Sequence, residues 1–361
     1  MSEKDFFDKV VLGTTLTDLD IDLDKKTIVI ESNGIYGSCF SLDKFIEHNV
    51  KFADNIQFSD KFHKEILKNK LVTDEILIEA IPCLLRPDAK YIVEINNSIF
   101  RNNIDYVKIN NFFFINKNKN LIKIPYTSTE IYESNQFENT LFSKENKLNL
   151  LDIYWYTKAL KEKNLMLFKN NCSNKKSILY DIFEKKLIDV CLYNSYLIYP
   201  QGGTTTICEY LALKMAMKGV VFCLDTTLTP EPVEEEFSTE YKVKYTVSVA
   251  ELYGKELIQQ KLPCGKTYIR VILTEWFKLT GNFVCYLESV ISSEIITIYG
   301  FNSLTNCTPD KFQLLYFISE VQPISNEDLA HFDIDYKKVN VDMHFVSKTS
   351  VSQYNSAINK L

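Results

Sequence analysis

Three charged residues stand inside or at the ends of otherwise apolar runs, and their types limit the chemistry open to them. Asp225 closes the run GVVFCLD, Arg270 sits within KTYIRVIL, and Glu294 follows two serines at the head of EIITIYGF. A carboxylate can accept a proton or hold a cation. A guanidinium stays protonated in any protein site, so Arg270 can pair with an acid or position a phosphate but cannot act as a base. Two carboxylates with an arginine between them make a buried ion-pair cluster more readily than a proton relay. Taken one at a time, Asp225 reads as the cap of a turn with Thr226 and Thr227, and Glu294 as a strand-edge charge.

Lysines recur from Lys158 to Lys186 with few acids among them. Such a stretch suits either a solvated helix face or a groove that follows an RNA backbone. The four histidines (His48, His63, His331, His344) are far apart, and the nine cysteines contain no Cys-x-x-Cys pair. That pattern gives no metal site and no histidine dyad, and unpaired cysteines point to a reducing compartment. The net charge of −6 argues against strong autonomous RNA binding, though not against a local basic groove. No run of apolar residues is long enough to span a bilayer, and the opening MSEKDFFDKV is charged. A cytoplasmic protein without a signal peptide or a membrane partner is therefore expected.

The elements that would position these residues follow from periodicity. At 361 residues the chain fits two domains. Residues 1–145 read as a separate α+β accessory unit: strands in KKTIVIES and NGIYGSCFSL about an Asn33-Gly34 turn, helices in KFIEHNV and SDKFHKEILKNKL, and strands in YIVEINNSIF and YVKINNFFFINKN. From residue 146 an alternating pattern begins. NLMLF (164–168) reads as its first strand, SYLIYP as a later one, Thr204 to Lys218 as a helix stopped by Gly219, and residues 219–225 as an apolar strand. KYTVSVAELYGKELIQQKL spaces Val247, Ala250, Leu257, Ile258 and Leu262 at roughly helical intervals and predicts a helix that ends at Pro263. A strand around Arg270 and a hairpin made of NFVCYLESV and EIITIYGF would complete an α/β sheet. Residues 306–361 form an extension packed upon it.

The ordered series from Lys244 to Phe301 resembles the C-terminal half of the RrmJ-type and nidovirus ribose 2′-O-methyltransferases. The shared points are IQQKL-x-x-G at Ile258 to Gly265, the basic residue Arg270 within the next strand, the step from Lys278 to Phe283, and Ser292-Ser293-Glu294 heading the last strand. The resemblance implies a doubly wound, seven-strand methyltransferase-like Rossmann sheet across residues 146–305, with S-adenosylmethionine as cofactor. It places the family's Lys-Asp-Lys-Glu tetrad at Lys158 (one helical step from the aligned Trp155), Asp225, Arg270 and Glu294. It places the cofactor at Asn170, Asn171 and Ser173 in a loop that holds no glycine, with Asn194 where a ribose-binding acid normally stands. A second registration would make Gly202-Gly203 the cofactor loop and Asp225 the ribose acid, but it leaves too few residues before Arg270 for the missing strand. With Arg270 in place of the lysine base, the resemblance implies a catalytically silent subunit of a viral-type RNA capping or replication apparatus. Such a subunit would bind a protein partner, or RNA through Lys158 to Lys186. An active RNA 2′-O-methyltransferase with a divergent site is the alternative.

Overall fold

A computed structural model of the chain describes residues 6–16, 18–19, 26–47, 53–58, 75–99, 101–124, 154–156, 158–159, 162, 165–173, 175, 196–237, 240–247, 251–259, 263–275, 279–292, 294–335 and 339–360. Two large sheets carry them. The first is built from β1 (Phe6–Leu12), β2 (Thr27–Ile30), β10 (Val221–Cys223), β11 (Leu228–Phe237), β12 (Glu240–Val247) and β13 (Glu251–Gln259), in the order β10-β2-β1-β13-β12-β11. The first four in that order run parallel, and β12 and β11 close the sheet as an antiparallel meander.

The second sheet has eight strands in the order β4-β18-β14-β17-β16-β15-β7-β8. They are β4 (Ala53–Phe58), β7 (Asn111–Ile115), β8 (Leu121–Lys123), β14 (Cys264–Thr274), β15 (Phe283–Glu288), β16 (Ile295–Phe301), β17 (Gln313–Ser319) and β18 (Val339–Thr349). All neighbours are antiparallel except β15 and β7. Two short pairs complete the strands: β3 (Cys39–Ser41) with β5 (Leu77–Glu79), and β6 (Tyr106–Ile109) with β9 (Leu197–Pro200). The described helices are α1 (Leu42–Glu47), α2 (Lys90–Asn96), α3 (Leu165–Asn171), α4 (Thr205–Ala216), α5 (Asn326–His331) and α6 (Val351–Lys360).

The eight-stranded sheet is apolar on both faces, and its central strands read as nearly unbroken hydrophobic runs for that reason. All seven residues of β17 are buried. Val271, Leu273, Tyr299 and Tyr316 pack into the larger core on one face, while Ile272, Ile298, Leu315 and Phe317 pack with Leu329 and Phe332 of the α5 region on the other. The C-terminal α6 is sewn on by two asparagines. Asn355 Oδ1 accepts from the Leu84 amide at 3.1 Å, and Asn359 Oδ1 accepts from the Arg86 amide at 2.6 Å.

Several expected elements are present: the β15–β16 hairpin, the strand holding Arg270, the helix starting near Thr204 and the strand before Asp225. The expected seven-strand methyltransferase sheet is not. The stretch read as a helix from Lys244 to Leu262 forms the end of β12 and all of β13. Tyr241, Val243, Tyr245 and Val247 alternate with Lys242, Lys244 and Thr246, and this period of two prevails over a looser helical spacing. NLMLF, read as the first parallel strand, lies largely in α3, and YIVEI, read as a strand, lies in α2. The helix SDKFHKEILKNKL falls outside the described residues. Strand pairing also crosses residue 145, since β1 and β2 pair with β13 and β10 and β7 pairs with β15.

Candidate functional site

In an open parallel sheet, ligands bind beyond the carboxyl ends of the strands, where successive loops leave the sheet. Here that place lies after β1, β2 and β10, and its polar groups are directed at one another. Leu12 leads into Gly13-Thr14-Thr15, with Gly13 at φ +97° and its amide bonded to Ile30 O at 2.9 Å. A Cβ on Gly13 would lie 2.5 Å from Asp18 Oδ2, so the positive φ and the close approach both require glycine. The same Asp18 oxygen accepts from the Thr15 amide at 2.9 Å and from the Thr15 hydroxyl at 2.6 Å. Burial, aided by the charge of Glu31, pushes the Asp18 carboxyl up to about 6, against the pull of the Thr15 bonds.

Glu31 ends the second strand and is equally engaged. Its Oε2 accepts from the Thr14 hydroxyl at 2.9 Å, and its Oε1 from both the backbone amide and the side-chain amide of Asn33 at 2.9 Å. Thr14 Oγ1 in turn accepts from the Gly37 amide at 3.0 Å. Asp225, at φ +51° just beyond β10, donates its amide to Asn33 O at 3.1 Å and packs its carboxylate against Gly34. The ends of β1, β2 and β10 are thus knotted together by side chains of the protein itself.

A third buried carboxylate holds the start of α4. Glu79 Oε1 accepts from the Thr204 amide at 2.7 Å and from Tyr199 OH at 3.0 Å, while Oε2 accepts from the Thr204 and Ser38 hydroxyls at 2.8 and 3.1 Å. Burial raises its pKa, and the four bonds oppose that rise. A helix start is a natural anion site, and here the anion is internal. Gly203 at φ +84° lets the chain pass so close to Cys39 that a Cβ would collide with its sulfur. What remains open to solvent around this end is a rim. Tyr36 lies edge-on to Phe222 with ring centroids 5.6 Å apart, and the exposed Glu209 is near enough to add to the rise that burial imposes on the Tyr36 phenol.

The residues expected to form a tetrad are not brought together. Arg270 is buried in the eight-stranded sheet. Its Nε and Nη2 donate to the two Asp342 oxygens at 2.8 and 2.7 Å, and Nη1 donates to Ile324 O at 3.3 Å. Glu294 is exposed at the β15–β16 turn, and Asp225 belongs to the other sheet. Lys158 pairs with Glu162 at 3.8 Å and lies over the rings of Tyr154 and Trp155. Asn170 and Asn171 are exposed at the end of α3, Ser173 is exposed just after it, and Asn194 lies outside the described residues. Of the basic stretch, Lys158, Lys169 and Lys175 are described. Among the described residues no group of three or more His, Cys, Asp or Glu is placed to hold a metal, and no helix is long and apolar enough to cross a membrane. Sequence reasoning passed over Gly13, Thr14, Asp18 and Glu31. Their signal was a glycine directly after an apolar strand, with an acid closing the next one.

No family model and no curated protein matches the chain. Solved structures do. It is similar to a Rab GDI from Plasmodium falciparum at 15% identity and a TM-score of 0.56, covering 96% of this chain and 91% of that one. It is similar to an oxidoreductase from Methanosarcina mazei at 10% identity and a TM-score of 0.56, covering 95% and 89%. A protein from Pyrococcus furiosus aligns at 10% identity and a TM-score of 0.50, covering 95% and 88%. At these identities the likeness establishes the fold. It overturns the methyltransferase resemblance and, with it, the RNA-capping subunit, the 2′-O-methyltransferase alternative and S-adenosylmethionine as the cofactor. The described residues of the short motif series that carried the resemblance lie in or beside β13 of the first sheet and β14, β15 and β16 of the second.

Proposed function

We propose that this chain works as a GDI-like protein that binds a Rab-type GTPase, and that it performs no flavin chemistry. Its fold is shared with a Rab GDI and with an oxidoreductase, and oxidoreductases built on such parallel sheets commonly hold an adenine dinucleotide such as FAD. Such a cofactor needs free loop amides at a helix start to meet its pyrophosphate, and a free acid at the end of the second strand to hold the ribose. The residues here do not fit it. The Thr15 amide is taken by Asp18, Glu31 is taken by Thr14 and Asn33, and the two carboxylates together would repel a pyrophosphate.

The observation that carries the proposal is this self-occupied cradle. A ligand cleft filled by its own side chains has become a rigid corner, and a rigid corner with a solvent-facing rim suits protein recognition. The contact is assigned to the rim of Tyr36, Phe222 and Glu209. Aromatic residues are enriched where protein interfaces carry their binding energy.

The test is a pair of titrations on the full chain. The purified protein is expected to carry no flavin absorbance, to bind added FAD more weakly than about 100 μM, and to bind a GDP- or GTP-loaded Rab at micromolar concentration or below. Tyr36→Ala should weaken the Rab complex roughly tenfold, as loss of an interface aromatic does. Stoichiometric flavin would overturn the reading in favour of an oxidoreductase, and a failure to bind Rab would remove the partner.

A further inference from the structure

The described surface also carries an apolar patch bordered by positive charge, on the side of α4 shared with α2. Leu213 and Met217 lie one helical turn apart and are 50% and 67% exposed, while Val93 of α2 is 43% exposed. Lys214 of α4 pairs with Glu94 of α2, which links the two helices at this point of the surface. Lys218 follows Lys214 by one turn, and Lys90 precedes Glu94 by one turn, so both face the same seam. Burial, then the nearby ammonium groups of Lys218 and Lys90, pulls the Lys214 pKa down, as expected where like charges gather.

We propose that this seam, with Val93, Leu213 and Met217 flanked by Lys90, Lys214 and Lys218, docks on an anionic lipid surface. The occupant follows from charge and from backbone. A chain of net charge −6 is repelled from such a surface as a whole, so it approaches through a local basic cluster such as this one. Lysine stems lie along apolar surface while their heads reach outward to headgroup level, and the aliphatic side chains between them enter the boundary beneath. Both flanking elements are helices, whose backbone groups are already bonded internally, so burial of this face strands no donors along its length. The absence of a membrane-spanning helix among the described residues is no obstacle, because the chain lies on the surface and does not cross it. This contact departs from the sequence expectation of no membrane partner. It goes beyond the Rab reading and needs no GTPase to be present.

The experiment is co-sedimentation of the full chain with vesicles of phosphatidylcholine alone or with about one third phosphatidylserine, at low and high salt. Retention is expected on the phosphatidylserine vesicles only and should fall as salt rises. Lys218→Glu should weaken it roughly tenfold at low salt, and the Leu213→Gln/Met217→Gln pair should weaken it at both salt levels. All three positions are exposed, so an unchanged circular dichroism spectrum should accompany the loss. Ile291→Gln, at the exposed turn of the other sheet, should leave retention unchanged. Equal retention on both vesicle types, no retention at all, or indifference to both variants would overturn the proposal. So would a loss caused by Ile291→Gln. Because no GTPase is added, the outcome is independent of whether Rab binds.

Discussion

Asp18 carries its charge at a cost to the fold. Its folded pKa of about 6 lies above the ordinary value of 3.8, so the folded state holds that proton more tightly than the unfolded chain does. The stability it contributes is fully present below the unfolded value and is lost as pH rises through about 6. The shift corresponds to roughly 2–3 kcal/mol. Asp18→Asn removes the titration and keeps a carbonyl oxygen for Thr15. The stability of the natural protein relative to Asp18→Asn, followed by urea unfolding, is therefore expected to fall between pH 4 and pH 7 and to level off above; a flat difference would show that Asp18 is not buried against its charge. Individual residues of this site were only partly legible beforehand. The apolar run ahead of Asp225 announced its strand in the sequence. Nothing in the one-dimensional spacing said that Thr14 and Asn33 would both turn to Glu31, because those bonds depend on three parallel strands ending at the same level.

At the scale of elements, the pairing of β14 with β18 decides the role of Arg270. Arg270 and Ile272 share a face of β14, directed into the smaller core, and Asp342 stands opposite Ile272 on β18. The result is a buried, two-pronged ion pair, for which removal of one partner costs about 3–5 kcal/mol while apolar replacement of both can be neutral. Arg270→Met is expected to destabilise by that amount in chemical unfolding, and Arg270→Met/Asp342→Leu to recover most of it. Additive losses would show that the pair contributes more than its own desolvation demands. The ionic nature of Arg270 was legible, since no arginine survives in an apolar strand without a partner. The partner was not, because Asp342 is remote in sequence and a strand pairing brings it near. Elements with a strong local signal, such as α4 and the β15–β16 hairpin, formed as their patterns require. β13 and α3 did not, since short apolar runs fit either period until a neighbouring strand or helix selects one.

Across the whole molecule, strands from the two halves of the sequence complete each other's sheets. β1 and β2 lie between β10 and β13, and β7 continues the edge that begins at β15. A chain starting at residue 146 would leave β13 and β15 with open edges and expose one side of the core. Such a fragment is expected to lose its near-ultraviolet circular dichroism and to aggregate, whereas the full chain should unfold cooperatively. A soluble, native-like fragment would support the division at residue 145. By itself, the sequence determined what local periodicity and side-chain chemistry can dictate: an α/β composition, several strands and helices, and an arginine unable to act as a base. Only the tertiary structure decided which strands pair, and therefore that Arg270 meets Asp342 and that the cradle after β1 is filled by its own acids. The physical reason is that backbone pairing is nearly indifferent to side-chain identity. The order of strands is settled by the joint burial of two whole cores, a quantity that no stretch of sequence contains.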